Sequence, residues 1–152
     1  MTKILVSFYS RSGNTKKVAK SISKKLNGEM DEISDKKKRS GPLGFIGGGK
    51  DALKKNLTEI DNKKNPSEYD LVVIGTPVWA GTVTPAIRTY LSKNKFKKLA
   101  FFCTCSRESE RTFNEMKEVS KKPIATLCLN KSEMKDFDNK VKEFCNEIKK
   151  SI

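Results

Sequence analysis

The residues best equipped for chemistry lie close to the start of the chain, in the run Ser10-Arg11-Ser12-Gly13-Asn14-Thr15. Hydroxyls and an amide donate hydrogen bonds, and Gly13 lets a ligand approach the backbone. A helix starting here would aim its first N–H groups and its positive dipole end at a bound anion. The run therefore suits a phosphate. It is not a nucleoside-triphosphate loop, because the Gly-x-x-x-x-Gly-Lys pattern is missing. Nor is it a dinucleotide fingerprint, which needs Gly-x-Gly-x-x-Gly. A second run, Thr76-Pro77-Val78-Trp79-Ala80-Gly81, carries the chain's sole tryptophan. A tryptophan among small loop residues is poorly placed for core packing and well placed to stack on a flat ring.

What is absent narrows the chemistry further. The chain has no histidine, which removes Ser-His-Asp and Cys-His hydrolysis and the commonest general base near neutral pH. Of the four cysteines (Cys103, Cys105, Cys128 and Cys145), the first two form half of a metal-ligand pair. No second close pair and no histidine complete it. The expectation is no metal and four buried structural thiols in apolar surroundings. Chemistry must therefore come from a cofactor or from carboxylates, thiols and amines.

Short apolar runs alternate with amphipathic stretches, and these must position the two loops. Ile4 to Tyr9, Leu71 to Gly75, Leu99 to Cys103 and Ile124 to Leu129 read as buried strands, and Glu29 to Ser34 as a weaker one. Between them fall helical stretches. Val18, Ile22 and Leu26 share one face, Pro85 suits a first helical turn, and Phe113 and Met116 mark another helix. A closing helix is expected from a Ser132 cap, with Phe137, Val141, Phe144 and Ile148 on one side. This alternation argues for an α/β protein, a parallel sheet covered on both faces. Ligands then bind beyond the carboxyl ends of the strands, in the loops after Phe8, Ile74 and Phe102. The long connection from Asp35 to Glu68 is read as a loop over Gly41 to Gly49, followed by a short helix from Lys50 to Leu57. No internal repeat or domain boundary is visible, so residues 1–152 are read as one domain, long enough to bury its own core.

At this point the chain resembles the flavodoxin family, whose phosphate loop reads Thr/Ser-x-Thr/Ser-Gly-x-Thr. Ser10, Ser12, Gly13 and Thr15 match it, directly after an N-terminal strand. Gly75 to Gly81 is similar to the loop that flanks the isoalloxazine ring in that family. Thr104-Cys105-Ser106 falls where the family contacts the flavin's pyrimidine edge, and it lacks the aromatic residue many flavodoxins place there. Gly41-Pro42-Leu43-Gly44-Phe45 and Tyr69 to Trp79 also look like a subfamily of short flavodoxin-like proteins. The resemblance spans nearly the whole chain. It implies a flavodoxin-like three-layer sandwich with five parallel strands in the order 2-1-3-4-5, and one non-covalent FMN. The cofactor-binding residues it implies are Ser10 to Thr15, Thr76 to Gly81, and Thr104, Cys105 and Ser106. Trp79 would lie against the ring and Cys105 close to it, without acting as a catalytic thiol. With no aromatic in the third loop, one flavin face is left open to a substrate or covered by the Gly41 to Gly49 loop.

The function implied is an FMN redox flavoprotein in electron transfer, working with a redox partner of acidic surface or a small-molecule electron acceptor. An FMN-dependent quinone or NAD(P)H oxidoreductase is the second reading, since the same fold supports both. A net charge of +14 raises a third, a basic module for nucleic acid or an anionic membrane surface, with Lys36 to Arg39 as its patch. The lysines are spread from Lys3 to Lys150, however, and no interleaved aromatics offer base stacking. The expectation is therefore no nucleic-acid partner. No apolar stretch approaches a membrane span or a signal sequence, so the protein is expected to be cytoplasmic with no transmembrane segment.

Overall fold

The computed structural model describes residues 2–37, 41–105 and 110–152. The elements run β1 (Ile4–Phe8), α1 (Asn14–Leu26), β2 (Glu29–Glu32), β3 (Ser34–Asp35), α2 (Gly41–Leu53), β4 (Ile60–Asp61), β5 (Leu71–Trp79), β6 (Thr82–Val83), α3 (Pro85–Lys93), β7 (Leu99–Thr104), α4 (Glu110–Glu118), β8 (Thr126–Leu129) and α5 (Asp138–Lys150). The central sheet has the order β2-β1-β5-β7-β8, all pairs parallel, which is 2-1-3-4-5 for the five main strands. β6 folds back antiparallel on the end of β5, and β3 and β4 form a separate two-stranded ribbon.

Period-two alternation sorts each strand's side chains between two cores. Ile4, Val6 and Phe8 of β1, with Leu71 and Val73 of β5, pack under α1 and α5, which contribute Val18, Ile22, Val141, Phe144 and Ile148. Leu5, Val72, Ile74, Leu99 and Phe101 face the opposite way, onto Ala52 of α2, Ile87 and Tyr90 of α3, and Met116 of α4. The result is the three-layer sandwich of the flavodoxin-like fold. Within it Gly75 is required by packing: a Cβ there would sit 2.0 Å from a ring carbon of Phe102 on the adjacent strand.

Two expectations need correction. The Gly41 to Gly49 segment is not a loop before a helix at Lys50 to Leu57; it is itself most of α2. Interior glycines each cost a helix about 1 kcal/mol relative to alanine, so local propensity argues against this helix and tertiary contact overrides it. Gly44, Gly48 and Ala52, spaced by four, form a small-residue stripe, and Gly48 and Ala52 are buried. A Cβ on Gly48 would lie 2.7 Å from the Trp79 ring, so the helix can approach this closely only as glycine. Ser132 does not open the closing helix either. It precedes a separate 3₁₀ turn at Glu133–Lys135, and α5 begins at Asp138. Asn130 takes the capping role: its side-chain oxygen accepts from the Glu133 N–H at 2.9 Å, and Glu133 accepts from the Asn130 N–H at 3.0 Å. This reciprocal pair is the geometry of a capping box.

Candidate functional site

Strand order reverses at β1. The chain leaves it for β2 on one side and returns at β5 on the other, so the carboxyl ends of β1, β5 and β7 open onto one crevice. There a cavity of about 860 Å³ is lined by Arg11, Ser12, Asn14 and Thr15 of the first loop, Pro77 to Gly81 of the second, and Thr104 and Cys105 of the third. Segments some 90 residues apart in sequence are brought together by the sheet alone. A larger cleft of about 1030 Å³ lies beside the edge strand β8, between it and α4. It collects none of the three loops, which converge on the smaller cavity.

The first loop is built around Ser10. Its hydroxyl oxygen accepts from the N–H groups of Gly13 (3.1 Å) and Lys16 (3.2 Å), which folds the loop over the start of α1. Gly13 occupies the N-cap at φ 99°, a conformation that favours glycine, and it brings no side chain to cap the helix. No acidic residue lies in the first turn. The Asn14 and Thr15 end of α1 is thereby presented to the cavity with its dipole uncompensated by local carboxylates. Ser10 and Gly13 shape the loop from behind, while Arg11, Ser12, Asn14 and Thr15 form the wall. Thr15 is buried, and its hydroxyl hydrogen-bonds the Thr104 hydroxyl at 2.9 Å, locking the first loop to the third.

The second loop is a two-residue hairpin. Ala80 and Gly81, at φ 52° and 78°, connect Trp79 to its cross-strand partner Thr82. Positive φ at both central residues is what such a primed turn requires. Thr76 does not reach the cavity. It is fully buried, with its hydroxyl on the Pro77 carbonyl (2.7 Å) and the Thr84 hydroxyl (3.0 Å), and it holds the base of the hairpin. Trp79 corrects the sequence reading. It lines the cavity, yet it is only 9% exposed and belongs to the core beneath α2. Its ring meets Tyr9 edge-to-face at 5.6 Å and is covered by Gly48. The unrecognised helix is the physical reason, because α2 occupies the space a loop would have left open.

Sequence reasoning missed two parts of this wall. α2 contributes Ile46, Gly49 and Lys50, and the turn after β8 contributes Lys131, Met134 and Lys135. The stripe Gly44-x-x-x-Gly48-x-x-x-Ala52 was the signal for the first; no local signal marks the second. Lining cations are thus Arg11, Lys50, Lys131 and Lys135, and no carboxylate lines the cavity among the described residues. Lys16, next to the loop, is paired with Glu32 at 3.0 Å. Ser106, expected in the site, Arg107 beside it, and Lys38 and Arg39 of the basic patch lie outside the described residues.

The cysteines separate into two environments. Cys145 lies in the α1/α5 core, and burial pushes its thiol up to about 11, as expected for an inert structural residue. Cys103, Cys105 and Cys128 cluster at the carboxyl ends of β7 and β8, with Cys105 and Cys128 half-buried. Among the described residues this is the one cysteine group with metal-like spacing, and no histidine or carboxylate joins it.

The donor set fits a planar heterocycle carrying a phosphate. The lining combines a helix N-terminus and hydroxyls with apolar Pro77, Val78 and Trp79, and with cations and no carboxylate among the described residues. Fold and site together define a flavodoxin-like architecture. No protein-family model matches the chain, and no curated protein matches it significantly. Among solved structures it is similar to the flavoprotein in complex with FMN from Lactobacillus acidophilus NCFM, at 26% identity and TM-score 0.71, covering 89% of this chain and 97% of that one. It shares its fold with the two-electron reduced flavodoxin of Megasphaera elsdenii (15% identity, TM-score 0.63, 95% and 96% covered). The same holds for the oxidised flavodoxin 1 of Bacillus cereus (18% identity, TM-score 0.56, 99% of each chain). No described helix is long and apolar enough to cross a membrane.

Proposed function

We propose that the chain, acting as one domain, binds a single FMN in the 860 Å³ cavity and serves as an electron-transfer flavoprotein. The observation that carries this is the convergence of the phosphate-type loop, the hairpin and the third loop on one crevice rimmed by four cations. The likeness to an FMN complex at 26% identity supports the same cofactor. In this reading the phosphate sits on Arg11 to Thr15 and the ring lies along Pro77 to Gly81, with Thr104 and Cys105 at its edge. When bound, the flavin supplies one- or two-electron chemistry, and the protein supplies orientation and charge. An acidic redox partner would suit the cationic rim.

The second reading, an FMN-dependent quinone or NAD(P)H oxidoreductase, draws support from the same crevice. Neither Thr104 nor Cys105 puts an aromatic ring over it, and Ile46, 66% exposed, offers an apolar edge to a small acceptor.

The test begins with the absorption spectrum of the purified protein and FMN titration of the apoprotein. Ser12→Ala, alone and with Thr15→Ala, should lower FMN affinity about tenfold or more, since each lost hydrogen bond to a charged group costs about 1.5–3 kcal/mol. FAD should bind more weakly than FMN. Binding that ignores both substitutions in a normally folded protein would move the phosphate elsewhere. Reduction by NADPH with no added reductase would favour the enzyme over the carrier.

A further inference from the structure

Cys103 lies in β7 and Cys105 one residue past its end, where the Cys105 N–H donates to the Leu129 carbonyl and continues the pairing, so the two side chains share one face. Cys128 of β8 is the register partner of Cys103 and shares that face. The three sulfurs lie within 4.8 Å of one another, and those of Cys105 and Cys128 are 2.9 Å apart. Non-bonded heavy atoms ordinarily rest about 3.5–4.0 Å apart. A thiolate metal site with bonds of about 2.3 Å would hold its sulfurs roughly 3.8 Å apart in a tetrahedron. The close pair is tighter than that spacing, and no histidine or carboxylate joins the three sulfurs among the described residues. Cys105 and Cys128 are diagonal neighbours across β7 and β8, with Cα atoms about 7–8 Å apart. An S–S bond of about 2.0 Å therefore needs a small backbone approach as well as closure of the sulfurs. Cys103 is fully buried, while Cys105 and Cys128 are half-buried. The two sulfurs in contact are also the two within reach of solvent.

Their placement differs in a useful way. Cys105 lines the cavity assigned above, and Cys128 lines the cleft of about 1030 Å³ at the sheet edge. Lys117 and Lys122 line that same cleft. Glu110, Glu133 and Glu147 line it too, and the nucleophile in disulfide exchange is the thiolate.

We propose that Cys105 and Cys128 form a redox-active dithiol that exchanges with low-molecular-weight disulfides entering the edge cleft. Cys128, as thiolate, attacks one sulfur of the disulfide RS–SR. That S–S bond breaks, one RS⁻ leaves and takes up a proton, and R–S remains on Cys128. Cys105, as thiolate, then attacks the Cys128 sulfur of this mixed disulfide. The Cys105–Cys128 bond forms, and the second RS⁻ leaves and is protonated. Two protein thiols are oxidised, one small disulfide is reduced to two thiols, and the two protein protons end on the products. This centre does not rest on the flavin assignment.

Oxidised glutathione is the probe, applied to the full chain as purified, with intact mass, thiol alkylation and peptide mapping as readouts. The wild-type protein should lose two hydrogens, carry no adduct, alkylate at two cysteines instead of four, and recover fully with a dithiol reductant. The bond should map to Cys105–Cys128. Cys105→Ser should instead retain a glutathione adduct on Cys128, and Cys128→Ser should form no internal bond. The wild-type measurement needs no variant to fold. A stable adduct on the wild type, a bond mapped to Cys103, or four alkylated thiols after exposure would each overturn the proposal. So would zinc or copper that copurifies and blocks the three thiols until a chelator removes it.

Discussion

Trp79 is the residue on which packing and ligand contact compete. Its burial under α2 makes it a core side chain first, so Trp79→Ala should cost about 3–5 kcal/mol of stability, the usual range for an aromatic truncated in a core. Trp79→Phe should lose much less and keep an aromatic wall. Chemical denaturation read by circular dichroism separates the two, and equal losses would mean that the ring does not fill the space under α2. Ring contact with FMN also predicts strong quenching of Trp79 emission on binding, read without interference from other tryptophans because the chain has no second one. Gly48 sets the complementary limit. Gly48→Ala improves local helix propensity by about 1 kcal/mol, yet its Cβ would collide with the Trp79 ring at 2.7 Å. The net effect should be destabilising, and a variant more stable than wild type would show that α2 stands off from the tryptophan.

At the scale of elements, ionic contacts tie one pair of helices together and fix the turn after β8. Arg88 of α3 and Glu115 of α4 pair at 2.7 Å with side chains 6% and 7% exposed, and Arg111 adds a second contact to Glu115 at 3.2 Å. The Arg88 Nε has no hydrogen-bond partner among the described residues, so the guanidinium already leans on this one carboxylate. Glu115→Ala should strand a buried charge and cost about 3–5 kcal/mol in urea unfolding. A loss below 1 kcal/mol would mean that water reaches Arg88. The turn after β8 is held differently. Hydrogen bonding to Lys140, and then to the Asn130 N–H, keeps the Glu133 carboxyl below its ordinary value of 4.5. Because the folded value is depressed, the stabilisation is fully present above about pH 4.5 and fades as pH falls through the folded value. That turn carries Lys131, Met134 and Lys135 into the cavity. Cofactor affinity should therefore decline over that acid window, and Glu133→Gln should reduce the decline. Identical pH profiles for the two proteins would detach this carboxylate from the site.

For the whole molecule the governing quantity is charge. The chain is +14, and the cavity gathers Arg11, Lys50, Lys131 and Lys135 without a lining carboxylate among the described residues. Positive charge nearby favours the more negative redox state, as it favours an ionised carboxylate. The flavin should take its second electron at a less negative potential than in a carrier whose flavin is ringed by carboxylates. Exposed charges are screened beyond about 10 Å at 0.1 M salt, so the difference should be on the order of tens of millivolts and should shrink as salt rises. Potentiometric titration at low and high ionic strength measures this, and Lys131→Gln with Lys135→Gln should lower the potential. A potential as low as that of an acidic carrier, indifferent to salt and to both substitutions, would place these lysines too far from the ring to act.

The layers and the loop that opens α1 were legible in the chain because they rest on local rules. Alternation in Ile4 to Phe8 and Leu71 to Ile74 splits side chains between two faces. Four-residue spacing in Val18, Ile22 and Leu26 builds one covering helix, and Pro85 does open α3. Strand order was not local information and entered by resemblance; the parallel pairing of β1 with both β2 and β5 bears it out. Three features needed the tertiary structure. α2 forms over a glycine-rich segment because contact with Trp79 and Ala80 outweighs poor propensity. Lys131 and Lys135 reach the cavity only because β8 ends beside β7. Cys128 joins Cys103 and Cys105 across 23 residues through the same strand pairing, which no spacing along the chain encodes. A sequence specifies which face each side chain takes, while the register of neighbouring strands decides which distant side chains share it.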